Sequence, residues 1–137
     1  MGTRGGGGRN LPYQLTPNPM QELRAKIEDL NALVLDGKSL EAFERYYHPD
    51  VVMQENEQAP TVGKDANRRR EIDFFNAVTE FRGAAVQAVA VGDDGTSSVV
   101  WHYDYTHRDW GVRTYTQAAV QTWQDGLIIR EQFFYGS

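Results

Sequence analysis

Between Pro19 and Gly37 the apolar residues Leu23, Ile27, Leu30 and Val34 recur at steps of three and four, which places them on one stripe of an α-helix. Asn18 before Pro19 supplies an N-cap and a first-turn proline, and Gly37 offers a stop. A second, shorter helix carries Leu40, Phe43 and Tyr47 on one face, with Ser39 as its cap and Pro49 as its end. Val51, Val52 and Met53 then begin a strand leading to Glu55 and Glu57. Gly63 and Asp65, the latter read as an N-cap, open a third helix whose apolar stripe is Ile72, Phe75 and Val78, with Phe74 beside it. After Gly83 the period drops to two. Segments 84–91, 97–107, 112–123 and 127–135 are rich in β-branched and aromatic residues, and turn signals separate them at Asp94-Gly95, Asp109 to Gly111 and Asp125-Gly126. Successive antiparallel hairpins follow, and helices first with strands after predict an α+β domain, its helices on one face of a curved sheet.

Alternation sorts the strand residues into two faces. Val99, Trp101, Tyr103 and Tyr105, then Tyr115, Gln117, Ala119, Gln121 and Trp123, then Leu127, Ile129, Glu131, Phe133 and Tyr135 share the odd parity. That face is aromatic with one carboxylate and two amides set into it, the composition of a small-molecule pocket. Its plain alternative is a solid core behind the helices. The tyrosine hydroxyls and the glutamine amides need partners once buried, which favours a pocket with Trp101, Tyr103, Tyr105, Gln117, Trp123, Phe133 and Tyr135 as ligand contacts. The even-parity face, with Val100, His102, Asp104, Thr114, Thr116, Val120, Thr122, Ile128 and Phe134, is half-polar and suits a homodimer interface.

The chain has 137 residues, enough for one domain and one core. Residues 1–17 read as a flexible Gly/Pro-rich arm able to dock through Tyr13 and Leu15, and 18–137 as the folded domain. A net charge of −5 and a pI near 5.1 argue against nucleic acid as a partner. Arg68, Arg69 and Arg70 fan around a helix and read as a solvated face or as salt-bridge partners. No apolar run reaches bilayer length, so no membrane is expected. Without cysteine there is no thiolate nucleophile and no disulfide, and without a secretory signal the expected setting is cytoplasmic. Neither a phosphate-cradling loop nor a compact metal-ligand spacing occurs, so no cofactor and no metal are expected.

Glu131 is the unusual member of the aromatic face. Facing an apolar pocket, it would hold its proton to higher pH and could exchange it near neutrality; the bland alternative pairs it with Arg113 or Arg130. Glu55 lies where a strand from another part of the chain could bring it to the same pocket, and a Glu55–Glu131 carboxylate pair is the sharpest candidate for acid/base chemistry. The histidines offer less: His102 points outward by parity, His107 reads as a hydrogen-bonded turn residue, and His48 packs or caps before Pro49.

The order of parts resembles a known superfamily. A first helix ending at Asp36-Gly37, the run Tyr46-Tyr47-His48-Pro49-Asp50-Val51, the Gly63-Lys64-Asp65 helix opening and Asp125-Gly126-Leu127-Ile128-Ile129-Arg130-Glu131 together resemble the nuclear transport factor 2-like superfamily, in particular its SnoaL-like branch. The resemblance implies a cone-shaped, cystatin-like α+β fold, with three N-terminal helices packed on a curved, mainly antiparallel sheet around a deep pocket, and a homodimer. It also implies a choice of activities: a cofactor-independent isomerase, dehydratase or cyclase acting on a hydrophobic cyclic substrate, or a non-enzymatic ligand-binding or interaction module. Against ketosteroid isomerase, one member, Glu55 falls where that enzyme has its aspartate base. Leu30 and Ala119 fall at its two oxyanion donors, so that specific chemistry is not expected.

Overall fold

The structure, a computed structural model, describes residues 18–136, so the arm read at 1–17 lies outside the described residues. Helix α1 (Pro19–Leu35) starts in a capping box: the Asn18 side chain accepts from the Gln21 amide at 2.8 Å, and the Gln21 side chain accepts from the Asn18 amide at 3.0 Å. It ends before Gly37, whose φ of 77° is a conformation that glycine adopts at little cost. Helix α2 (Ser39–Tyr46) begins after Lys38, which makes no side-chain cap bond; Ser39 is thus the first helical residue and not the cap. The chain passes directly into β1 (Tyr47–Glu55), then β2 (Thr61–Val62), helix α3 (Lys64–Ala77), β3 (Val78–Val91), β4 (Thr96–His107), β5 (Gly111–Gln124) and β6 (Leu127–Tyr135).

The six strands form one mixed sheet in the order β2-β1-β6-β5-β4-β3, in which β1–β6 is parallel and the remaining neighbours are antiparallel. A parallel pair needs a crossover between its strands. Here α3 is part of the chain between β1 and β6, so the third helix follows two strands and is not N-terminal to the sheet. The expected α+β class stands, with this change in order.

Three local readings are corrected. Helix α3 turns Ile72 and Phe75 outward, and its inward line is Asn67, Glu71, Phe74 and Ala77. Asn67 sets this orientation: its buried amide donates to the carbonyls of Gly63 at 2.8 Å and Thr61 at 3.0 Å, which no apolar residue could satisfy. The cap of α3 is Gly63, at φ 96°, and Asp65 instead pairs with Arg68 at 2.7 Å. In β6 the register steps from Thr122↔Arg130 to Trp123↔Ile128, and this bulge exchanges the two faces. Ile128 is consequently fully buried opposite Tyr47, and it leaves the outer face on which parity had placed it.

Strand β3 begins at Val78, earlier than its sequence pattern suggested, and its three register shifts against β4 bend it around the helices. Ile27, Leu30, Phe43, Val51, Val99, Trp101 and Ile128 pack into one core between α1, α2 and the sheet. Each such side chain, fully buried, contributes about 1.5–3 kcal/mol. No helix among the described residues is long and apolar enough to cross a membrane.

Candidate functional site

A cavity of about 1630 Å³ opens between the inner sheet face and the helices. Its sheet wall includes Trp101, Tyr103, Tyr105, Gln117, Phe133, Tyr135, Glu55 and Glu131, and its helical wall includes Leu30, Phe43, Glu71 and Phe74. Trp123 is not on that wall. It meets Tyr46 edge-on at 6.1 Å and donates from Nε1 to Ser97 Oγ at 2.8 Å.

Glu131 is 3% exposed and has no cationic partner among the described residues. Strand β6 delivers it from one side, β1 brings Tyr47 and β5 brings Gln121 directly opposite it. The Tyr47 hydroxyl donates to Oε1, and Gln121 Nε2 donates to Oε2 at 2.7 Å. Gln121 is held in turn: its Oε1 accepts from Ser97 Oγ at 2.6 Å, and Ser97 accepts from the Trp123 indole. An indole N–H can only donate, so the chain of bonds has one direction, and it leaves the Gln121 amide nitrogen facing the carboxylate. Arg130, one of the partners considered for Glu131, donates instead to Gln54 at 2.7 Å. The other, Arg113, lies over the Tyr115 ring at 5.0 Å.

Desolvation raises the pKa of Glu131 to about 7, against the lowering effect of the Tyr47 and Gln121 hydrogen bonds. Glu71 is the second carboxyl of the same kind. It projects from the inward line of α3, and burial, reinforced by the charges of Glu131 and Glu55, pushes its pKa to about 7 as well. Burial and the neighbouring Glu131 hold the Tyr47 hydroxyl far above its ordinary pKa, so it remains a donor at neutral pH.

Glu55 reaches the same cavity from the end of β1. Asn56, at φ 49°, donates its amide to the Phe133 carbonyl at 2.7 Å and accepts at Oδ1 from the Tyr135 amide at 3.0 Å. That clamp brings Glu55 beside Tyr135, whose hydroxyl donates to its carboxylate. Asparagine tolerates this positive φ better than most residues. Glu57 lies beyond the strand end and is exposed.

The tyrosines divide into two groups. Tyr105 and Tyr115 share a hydrogen bond at 2.7 Å, whereas the Tyr103 hydroxyl has no side-chain partner among the described residues, and its ring stacks on Trp101 at 5.4 Å. Burial and the nearby glutamates keep Tyr103 protonated. His107 accepts from the Asp109 amide at 3.1 Å, the turn role its position suggested, and stacks on Trp110 at 3.7 Å. His48 similarly accepts from the Asp50 amide at 3.0 Å. No three His, Asp or Glu side chains converge as a metal would require among the described residues. Leu30 and Ala119 both line the cavity, so no hydrogen-bond donor stands at either position.

Sequence reasoning missed Glu71 and Tyr47 as members of this site. The i, i+4, i+7 spacing of Asn67, Glu71 and Phe74 was the available signal, outweighed by the more apolar Ile72 and Phe75. The apolar spacing places Tyr47 on the packing face of the second helix, whereas it is the first residue of β1.

The fold recurs in known structures. A candidate SnoaL-like polyketide cyclase from Mesorhizobium loti aligns with 82% of this chain and 98% of its own, at 23% identity and a TM-score of 0.75. Bal32a, from a soil-derived mobile gene cassette, aligns over 86% of this chain and 92% of its own at 11% identity and TM-score 0.74. A candidate SnoaL-like polyketide cyclase from Jannaschia sp. aligns over 88% and 90% at 11% identity and TM-score 0.70. At these identities the likeness is one of fold. No curated protein matches the chain significantly. Residues 27–131, from the first buried position of α1 to the buried glutamate of β6, match the SnoaL-like domain family, and the chain belongs to that family, within the nuclear transport factor 2-like superfamily.

Proposed function

We propose that the chain is a small-molecule enzyme that moves protons with carboxyl groups and needs no cofactor: an isomerase, dehydratase or cyclase acting on a hydrophobic cyclic substrate. The observation that carries this reading is Glu131, a carboxyl buried on a cavity wall with no cation to neutralise it, held by Tyr47 and Gln121. In its ionised form it can take a proton from a substrate carbon, while Glu71, on the same cavity, can return one to a second position, and Glu55 adds a further carboxyl to the cavity wall. Tyr103, with a free hydroxyl, donates to the substrate oxygen on which charge develops. Trp101, Tyr105, Gln117, Phe133 and Tyr135 form the remaining binding wall, and Trp123 serves by holding Ser97 and Gln121 in place. The cone described for the superfamily fits this enclosed wall. A homodimer through the outer sheet face belongs to the same proposal, supported by Val120 and Phe134 standing partly exposed among threonines there.

A nitrobenzisoxazole tests the proton-abstracting role without knowledge of the natural substrate. A base removes its ring C–H proton, the N–O bond opens, and a coloured cyano-nitrophenolate forms. The chain is expected to accelerate this reaction with a rate rising through about pH 7, the pKa of Glu131. The Glu131→Gln variant should lose at least about 100-fold in kcat/KM. A wild-type protein that binds the probe without turning it over, or a variant as active as wild type, points instead to a ligand-binding module of the same fold.

A further inference from the structure

Arg113 is the one arginine among the described residues whose surroundings remain unexplained. Arg24, Arg45, Arg68, Arg82 and Arg108 each sit within ion-pair distance of a carboxylate, and Arg130 bonds Gln54. Arg69 and Arg70 are exposed on α3, where water can serve them. Arg70 and Arg108 also line the cavity, but Arg113 differs from both in that its Nε is buried without a hydrogen-bond partner, and no carboxylate lies within ion-pair distance of it among the described residues. Its guanidinium rests 5.0 Å from the centre of the Tyr115 ring, a contact that orients the fork without supplying an acceptor. The Tyr115 hydroxyl is itself already shared with Tyr105. Desolvating a charged donor and leaving it unpaired is costly, and a ligand that brings the missing acceptor recovers that cost.

Position narrows the ligand. Arg113 pairs with Tyr105 across β4 and lies eight residues along β5 from Gln121, the residue that holds Glu131. That is about 26 Å of strand, shortened by curvature and by side-chain reach. The aromatic wall of Trp101, Tyr103, Tyr105 and Tyr115 lies between. A planar, singly charged acceptor matches the guanidinium fork, whereas a dianion would sit poorly in a cavity already holding Glu55, Glu71 and Glu131.

We propose that Arg113 is an anion subsite of the cavity, holding the carboxylate of an elongated, ring-containing acid whose body lies along the aromatic wall toward Glu131. This rests on the reading of the cavity as a ligand site and extends it to a substrate class.

Pyrenebutyrate and its uncharged counterpart pyrenebutyramide, titrated into the full chain by calorimetry, test the subsite directly. Wild type should bind the acid at least about tenfold more tightly than the amide. Arg113→Met should abolish that preference while retaining amide binding, Arg113→Lys should restore part of it, and Arg70→Met should leave it intact. Equal affinity for acid and amide in wild type, binding of neither, or a preference that disappears with Arg70 in place of Arg113 each overturns the proposal. The wild-type comparison decides the matter even if the methionine variant fails to fold. Glu131→Gln should keep the acid preference while losing nitrobenzisoxazole turnover, so failure of the acid/base reading and failure of the subsite give different results.

Discussion

At the scale of single residues, the placement of Glu131 makes stability depend on pH in a way opposite to an ordinary paired carboxylate. Burial keeps its proton on to about pH 7 in the folded chain, whereas an ordinary glutamate releases it near 4.5. Folding therefore favours the protonated form. The contribution is full below the unfolded value and is lost as pH rises through the folded one, up to about 3 kcal/mol if Glu131 acts alone. Urea unfolding should accordingly give a more stable protein at about pH 5 than at about pH 8. Glu131→Gln should reduce that slope, with Glu71 retaining the remainder because its own pKa is raised chiefly by burial and only in part by the Glu131 charge. A wild-type midpoint that rises from the acid to the alkaline condition would contradict this assignment. Ser97→Ala examines the relay behind Glu131. Without the serine hydroxyl the Gln121 carbonyl oxygen loses its donor and the amide can rotate, so a several-fold fall in turnover with an altered pH midpoint is expected. A purely structural role would leave the midpoint unchanged.

At the scale of elements, α3 is where the site is decided. Its first turn is fixed by the Asn67 amide on the carbonyls of Thr61 and Gly63, and this orientation points Glu71 and Phe74 at the cavity. Asn67→Ala should cost about 1–3 kcal/mol in urea unfolding, since it strands buried carbonyls as well as removing bonds. A change near zero would mean that the helix is held by something else. The sequence made α1 legible because cap, proline, periodic stripe and glycine stop all agree locally. The inner face of β4 and β5 was equally legible, since parity survives wherever the register is unbroken. What could not be read depends on distant partners. Ile128 turns inward because β6 bulges against β5, and α3 presents polar residues inward because β1 and β2 offer it carbonyls. Neither the bulge nor those carbonyls leave a mark in the hydrophobic pattern of the segment itself. Glu131 was found because a carboxylate within an apolar, alternating strand is locally anomalous; Glu71 was hidden in a helix rich in charge.

At the scale of the whole molecule, two groups of exposed apolar side chains bear on function. Phe81 and Trp110, 62% and 59% exposed, stand on the cavity lining with Phe75, while Val120 and Phe134 lie on the outer sheet face. If the outer face joins two copies, light scattering at micromolar concentration gives twice the mass of the 15.5 kDa chain, and Val120→Glu reduces it to one. A wild-type monomer at that concentration would refute the interface. The central claim, however, concerns the cavity: that two carboxyls on opposite walls, Glu131 and Glu71, both keep their protons to near neutrality. NMR titration of protein labelled at its glutamate side-chain carboxyls tests it most directly. Two resonances titrating together near pH 7, one lost and the other moved to lower pH in Glu131→Gln, are the predicted result. All glutamates titrating near the ordinary value of 4.5 would contradict it.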